Sequence, residues 1–236
     1  VNDWNNFVTP ENVYSAENEA GVAILNRSEG RNVYNAQMTI PAAYLMTELP
    51  LTERFKTILG ARWEGTEIVF SNESTVNPIT NQTYEENDIL PSLALIYELV
   101  EDKMNLRASY SRTLARPTFR EISPVALYDF ELRAFILGNP DLQRTLIDNI
   151  DLRWEYFFNP GELISISVFY KDFTNPIELT INEQAQNLEL QYRNVDQARV
   201  FGFELEARKN LGFLSPDLNG LSIGTNFTLL ESQVDI

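Results

Sequence analysis

The chain contains no cysteine and no histidine. The first absence excludes disulfides and thiolate chemistry. The second removes His-based triads, the commonest metal ligand and the usual general base near neutral pH. An enzyme would have to work with Asp, Glu, Lys, Tyr or Ser alone. No nucleophile–base pair and no metal constellation can be assembled from them, so no catalytic residue, metal site or cofactor is expected. Basic residues are also scarce: 18 Lys and Arg stand against 34 Asp and Glu, a formal charge of −16. Nucleic-acid binders carry basic patches, so that partner is not expected. The acidity fits solvated loops, with a cationic or metal-bearing ligand as the alternative. No run approaches the roughly 18 consecutive apolar residues of a membrane helix. Strands remain a route across a membrane, because barrel strands alternate and leave no such run.

Alternation is what the chain has instead. In 104–111, Met104, Leu106, Ala108 and Tyr110 point one way, and Asn105, Arg107, Ser109 and Ser111 the other. Side chains alternate across a strand, so this reads as a strand with one apolar and one polar face. Eight such segments are expected, at about 36–48, 54–69, 89–99, 103–113, 146–158, 162–173, 196–209 and 220–230. Pro41 weakens the first. The gaps between them are alternately short and long. The turns at 49–53, 100–102 and 159–161 are short, and 210–219 falls where a short one is due. The stretches at about 70–88, 114–145 and 174–195 are long and polar. Long loops without structure of their own are uncommon in compact soluble domains, and all three lie at one end. Short periplasmic turns and long external loops are the pattern of an outer-membrane barrel.

The expected fold is therefore all-β: an antiparallel transmembrane β-barrel. A soluble carbohydrate-binding β-sandwich is an alternative, since it too alternates. Its strands are shorter and its apolar faces mostly aliphatic, whereas here aromatics gather near strand ends: Trp154, Tyr156, Phe158, Tyr170, Phe173, Phe201 and Phe203. Aromatic girdles sit at membrane interfaces. A second alternative is a complete eight-stranded barrel with an adhesion or structural role. The first residue is Val1, no charged-then-apolar leader follows, and 231–236 carries no turn signal after a strand. A piece of a longer protein is the expectation from those ends.

Several segments together resemble a known family. Residues 106–117 (LRASYSRTLARP), Gly138-Asn139-Pro140-Asp141-Leu142, Asp148-Asn149-Ile150-Asp151-Leu152, Trp154-Glu155-Tyr156, 165–171 and 202–206 look like successive blocks of TonB-dependent outer-membrane receptors, in the family's order. The resemblance is clear over about 87–230 and looks most like receptors of the Bacteroidetes type. It implies a barrel of about 22 strands around a plug domain, so that 1–236 would be a single partial domain, a section of a large antiparallel transmembrane β-barrel. It also implies capture of a scarce ligand at the cell surface and energised import through the TonB complex. Outer-membrane lipid, the plug, the remaining strands and, in some members, a surface lipoprotein would be the partners. The run Gln143-Arg144-Thr145 departs from the family's usual acidic or proline continuation.

Candidate residues follow in three groups. Arg112, Arg116 and Arg120 enter the longest expected loop, and an arginine can clamp a carboxylate, phosphate or catecholate with two hydrogen bonds. The alternative is that they pair with carboxylates and fix the loop. Tyr128, Asp129 and Arg133, with Phe130 and Glu131, lie further into it, and Tyr and Arg are common at binding hot spots. Arg62, Glu64, Arg107, Asp151, Arg153, Glu155, Glu204, Glu206 and Arg208 fall on polar faces and are expected to face the lumen, pairing across strands. Glu85, Glu86 and Asp88, with Asn87, lack calcium-loop spacing and read as a solvated charge run. Asn72-Glu73-Ser74 and Asn81-Gln82-Thr83 match a glycosylation acceptor only by chance.

Overall fold

In a computed structural model, residues 33–72, 82–123, 125–182 and 188–235 are described below. Nine segments build one antiparallel sheet: β1 (Tyr34–Thr39), β2 (Ala42–Pro50), β3 (Phe55–Asn72), β4 (Gln82–Val100), β5 (Met104–Ala115), β8 (Thr145–Phe157), β9 (Leu163–Thr174), β12 (Gln197–Asn210) and β13 (Ser222–Asp235). β1 and β2 pair with β3 in one continuous register, so the nine segments fill eight positions. Pro41 lacks the N–H that would continue the ladder, but its carbonyl still accepts from Gly65 N at 2.9 Å. All eight expected strands are present.

Each strand pairs with its neighbour in sequence, as successive hairpins do. The turns hold left-handed residues where tightness demands them: Asp102 at φ 56° and Gly161 at φ 83°. Among the described residues β13 pairs only with β12, and β1 and β2 only with β3. Among the described residues the sheet is open and does not close as an eight-stranded barrel.

Register carries the faces across the whole sheet. Thr57, Leu95, Ala108, Leu152, Val168, Phe203 and Leu229 stand in one row on neighbouring strands. Phe55, Tyr97, Leu106, Trp154, Ile166, Leu205 and Phe227 form the next. Among the described residues no second sheet covers these rows, and apart from the buried Thr57 their side chains are half-buried or exposed: Leu152 is 48% accessible and Leu229 64%. A continuous apolar face this wide, left open, is a lipid-facing surface and not half of a sandwich.

The long connections depart from expectation. β3 and β4 run to Asn72 and from Gln82, so the first loop shrinks to 73–81, which lies outside the described residues together with residues 73 and 74 of the first glycosylation match and 81 of the second. The acidic run 85–88 hid the start of β4 because it is polar on both faces. The other two connections are structured. They hold α1 (Phe119–Ile122) and β6 (Leu127–Asp129), β7 (Ala134–Leu137), β10 (Ile177–Ile181) and β11 (Glu189–Asn194), which form a second sheet in the order β10-β11-β7-β6. A compact core sits between these loops and the outer end of the wall: Ile68, Phe70, Ile122 and Leu142, with Tyr84, Ile177 and Tyr192 against it.

Candidate functional site

The nine charged residues expected inside the barrel all share one face. Register places Arg62 and Glu64 of β3, Arg107 of β5, Asp151, Arg153 and Glu155 of β8, and Glu204, Glu206 and Arg208 of β12 opposite the apolar rows. Five of them, on β5, β8 and β12, link into a ladder. Arg107 Nε donates to Glu155 at 2.8 Å, Arg153 Nε to the other Glu155 oxygen at 2.8 Å, and Arg153 Nη2 to Glu206 at 3.1 Å. Arg208 Nη2 closes the run on Glu206 at 3.2 Å, and Ser167 of β9 accepts from Arg153 at 3.1 Å. Glu155 is the best shielded member, with its side chain 11% accessible. Alternating charge at hydrogen-bond distance makes a polar wall that needs little water.

At the outer end two arginines clasp the long loop to the β3–β4 hairpin. Arg116, just past β5, donates to Glu64 and, at 2.7 Å, to Thr66. Arg62 holds the same Glu64 carboxylate. Arg144, at the loop's other end, meets Asp88 at 2.5 Å and Glu86 at 3.1 Å, and its backbone N–H donates to the Tyr84 hydroxyl at 3.1 Å. Alternation on β4 puts Glu86 and Asp88 on one face and Glu85 and Asn87 on the other. The run is therefore split, and Asp88 is buried rather than solvated. Arg144 was missed by sequence reasoning, although it lies in the run that departs from the family pattern.

Within the loop, Thr118 and Glu121 close a reciprocal capping box on α1. Gly138 packs on that helix end, where a Cβ would lie 2.1 Å from the Ser123 carbonyl oxygen. Asn139 N donates to Glu121 O at 2.6 Å, Asn139 Nδ2 to Tyr192 O at 3.2 Å, and Leu142 fills the small core. The Gly-Asn-Pro-Asp-Leu stretch thus ties α1 to the second sheet.

The loop candidates divide accordingly. Arg112 lies on β5 rather than in the loop, on the apolar face, with two bonds of 2.9 Å to Asp148. Arg116 serves the clasp, and Arg120 donates to the carbonyls of Val125 and Ile136 at 3.0 and 3.1 Å. Asp129 caps its own turn, accepting from Glu131 N and Leu132 N at 2.8 Å each. Tyr128 stands edge-on to Phe130 and Phe135, with ring centroids 5.1 and 5.2 Å apart, and Phe130 is 84% accessible. Arg133 is exposed at φ 52°, and its side chain pairs with no other described residue. Beside this loop a cleft of about 440 Å³ opens on the polar side. Ile147, Phe173, Val200 and Val234 floor it, and Thr118, Glu121 and Glu178 stand at its rim. This end of the described residues thus presents exposed aromatic edges, the Arg133 guanidinium and a cleft with an apolar floor.

The family profile described as TonB dependent receptor-like, beta-barrel matches residues 1–235. The chain belongs to the TonB-dependent receptor family. Its sheet is a section of that family's outer-membrane barrel, with the short turns periplasmic and the long loops outside. The ferric citrate transporter FecA, in its unliganded form, superposes with a TM-score of 0.64 at 19% identity, over 85% of this chain and 27% of that one. The siderophore receptor PirA from Pseudomonas aeruginosa gives 0.59 at 17% identity, over 85% and 44%. A curated relative from Haemophilus influenzae, the probable hemoglobin and hemoglobin-haptoglobin-binding protein 4, is 26% identical over 146 residues, 56% of this chain and 14% of its own length. The chain thus spans less than half the length of each of these relatives.

Proposed function

We propose that this receptor section forms the wall and two outer loops of a protein that captures an iron-bearing ligand and imports it by TonB-coupled transport. The folded loop cap carries the reading: two connections packed on each other and on the wall, with Tyr128, Phe130 and Arg133 exposed on one of them and an open cleft beside Thr118, Glu121 and Glu178. The names of the relatives, a siderophore receptor, a ferric citrate transporter and a hemoglobin-binding protein, support the ligand class. The resemblance to the Bacteroidetes type belongs to the same reading. Tyr128 and Arg133 are the ligand contacts; Asp129 shapes the turn between them. Arg112, Arg116 and Arg120 act beside that contact surface by holding the wall and the loop. The charge ladder faces the lumen, where the plug domain would meet it, and a surface lipoprotein would close over the loops. No residue is assigned to catalysis.

The test uses the full-length receptor in cells deleted for it, supplied with radioactive ferric citrate, a ferric catecholate siderophore or haemoglobin. Receptor-dependent uptake of one of them, abolished by an uncoupler, is expected. Tyr128→Ala and Arg133→Ala should each weaken binding of that ligand by at least about 30-fold, as hot-spot residues do. Uptake of none of the three would overturn the iron reading. Uptake untouched by both substitutions would move the contacts elsewhere.

A further inference from the structure

The periplasmic connection between β12 and β13 is unlike the other three. It is longer, it folds into two short 3-10 turns (Leu211–Phe213 and Pro216–Leu218), and it exposes Phe213 and Leu214, at 67% and 65%. An apolar pair displayed to water would be costly. The pair is also held out deliberately. Asn210 Oδ1 accepts from Gly212 N at 2.8 Å, Asn210 Nδ2 donates to Asn219 O at 2.6 Å, and Leu211 N donates to Leu221 O at 2.8 Å.

We propose that this connection is seated in the inner leaflet of the outer membrane, with Phe213 and Leu214 among the acyl chains. The occupant is lipid because the patch continues the lipid-facing belt. Lys209 shares the face of Leu205 and Ala207, and its Nζ lies 5.0 Å from the centre of the Phe158 ring and 5.9 Å from that of Phe213. Phe158 in turn stands 4.8 Å from Tyr156, which stacks on Trp154 at 6.4 Å. Phe158 and Phe213, with Tyr156 beside Phe158, therefore gather at the periplasmic end of the belt, and aromatic bands mark the headgroup level. The Lys209 ammonium is held at that level by Glu162, at 2.8 Å, while its stem lies along the rings. No charged residue interrupts 211–214. A short, preformed, apolar tip next to a belt at its edge is an interfacial anchor.

The chain has no cysteine of its own, so a single reporter thiol can be placed at will. Phe213→Cys, Leu214→Cys and, as the water-side control, Asp217→Cys are made in a full-length receptor freed of any other thiol. Each is labelled with an environment-sensitive fluorophore and reconstituted in phosphatidylethanolamine–phosphatidylglycerol vesicles. Folding is checked by heat-modifiable gel mobility. Positions 213 and 214 should be quenched by nitroxide-labelled lipid at least three-fold more than 217, and 217 should be quenched by aqueous iodide. Equal iodide quenching at all three positions would mean a solvated turn. Shielding of 213 and 214 from both quenchers would mean that protein covers them. Either result overturns the proposal.

Discussion

Leu152 tests the face assignment most directly. It lies on β8, four residues from Asp148 on the outer side and six from Phe158 on the periplasmic side. At about 3.3 Å per residue, and with the strand tilted by about 40°, it sits about 10 Å below the first charge and about 15 Å above the last aromatic ring. That is near the middle of an apolar band about 25 Å tall, where an outward Arg costs about 2–4 kcal/mol. Its register partner is Ala108; one residue further, Ser109 stands opposite Asp151 on the polar face, with Oγ and carboxylate 3.5 Å apart. Ser109→Arg would meet that carboxylate in the lumen, so its cost should stay below about 1 kcal/mol. The two substitutions add the same side chain on adjacent rows and differ only in the face. Urea titration of the receptor folding into phosphatidylcholine vesicles, followed by heat-modifiable mobility, gives both free energies. Leu152→Arg should be the worse by at least about 1–2 kcal/mol, roughly a 5- to 30-fold change in the folding constant. Equal losses, or a larger loss for Ser109→Arg, would refute the assignment of lipid and lumen faces.

Two further outcomes follow from the wall. Phe169 lies over Gly202 on the neighbouring strand, where an added Cβ would come within 2.2 Å of the ring. Gly202→Val should therefore force the ring aside and cost about 1–3 kcal/mol in the same titration, and no loss would mean the ring is free to move. Glu162, in the turn before β9, has its carboxyl held below the ordinary carboxylate range, first by Lys209, then by Asn159 and the Asn210 N–H. A depressed folded-state pKa stabilises above the unfolded value and is lost as pH falls through the folded one. Wild-type receptor should lose stability on acidification below the normal Glu range, and Glu162→Gln should remove that part of the slope. An unchanged slope in the variant would show that Glu162 is not coupled to folding.

The wall was legible because a strand with lipid on one side and a polar lumen on the other must alternate, and alternation survives in a single sequence. All eight strands and the common face of nine charged residues came from that one period. The charge partners were less legible, since register has to be known before Glu155 can be seen between Arg107 and Arg153. Where a face changes its neighbour, the period misleads. Ile68 and Phe70 continue the polar face of β3 but are 1% and 3% accessible, because the loop core packs there and replaces water. The same change of neighbour turned 85–88 from an expected charge run into a strand, with Asp88 buried under Arg144.

The loops were hardest to read because their order comes from distant pairs. Nothing local tells that β11 will pair in parallel with β7, or that Arg144 will reach back 56 residues to Asp88. Yet this cap decides which candidates are free to meet a ligand. Of three arginines entering the loop, one faces the membrane side with Asp148 and two are consumed by Glu64, Thr66 and backbone carbonyls. Arg133, with φ 52° and no partner among the described residues, is the loop arginine to which the proposed reading gives the ligand. On the proposed reading, loop-entry arginines that are already paired leave recognition to the loop tip, where the exposed edges of Tyr128 and Phe130 would supply its apolar part.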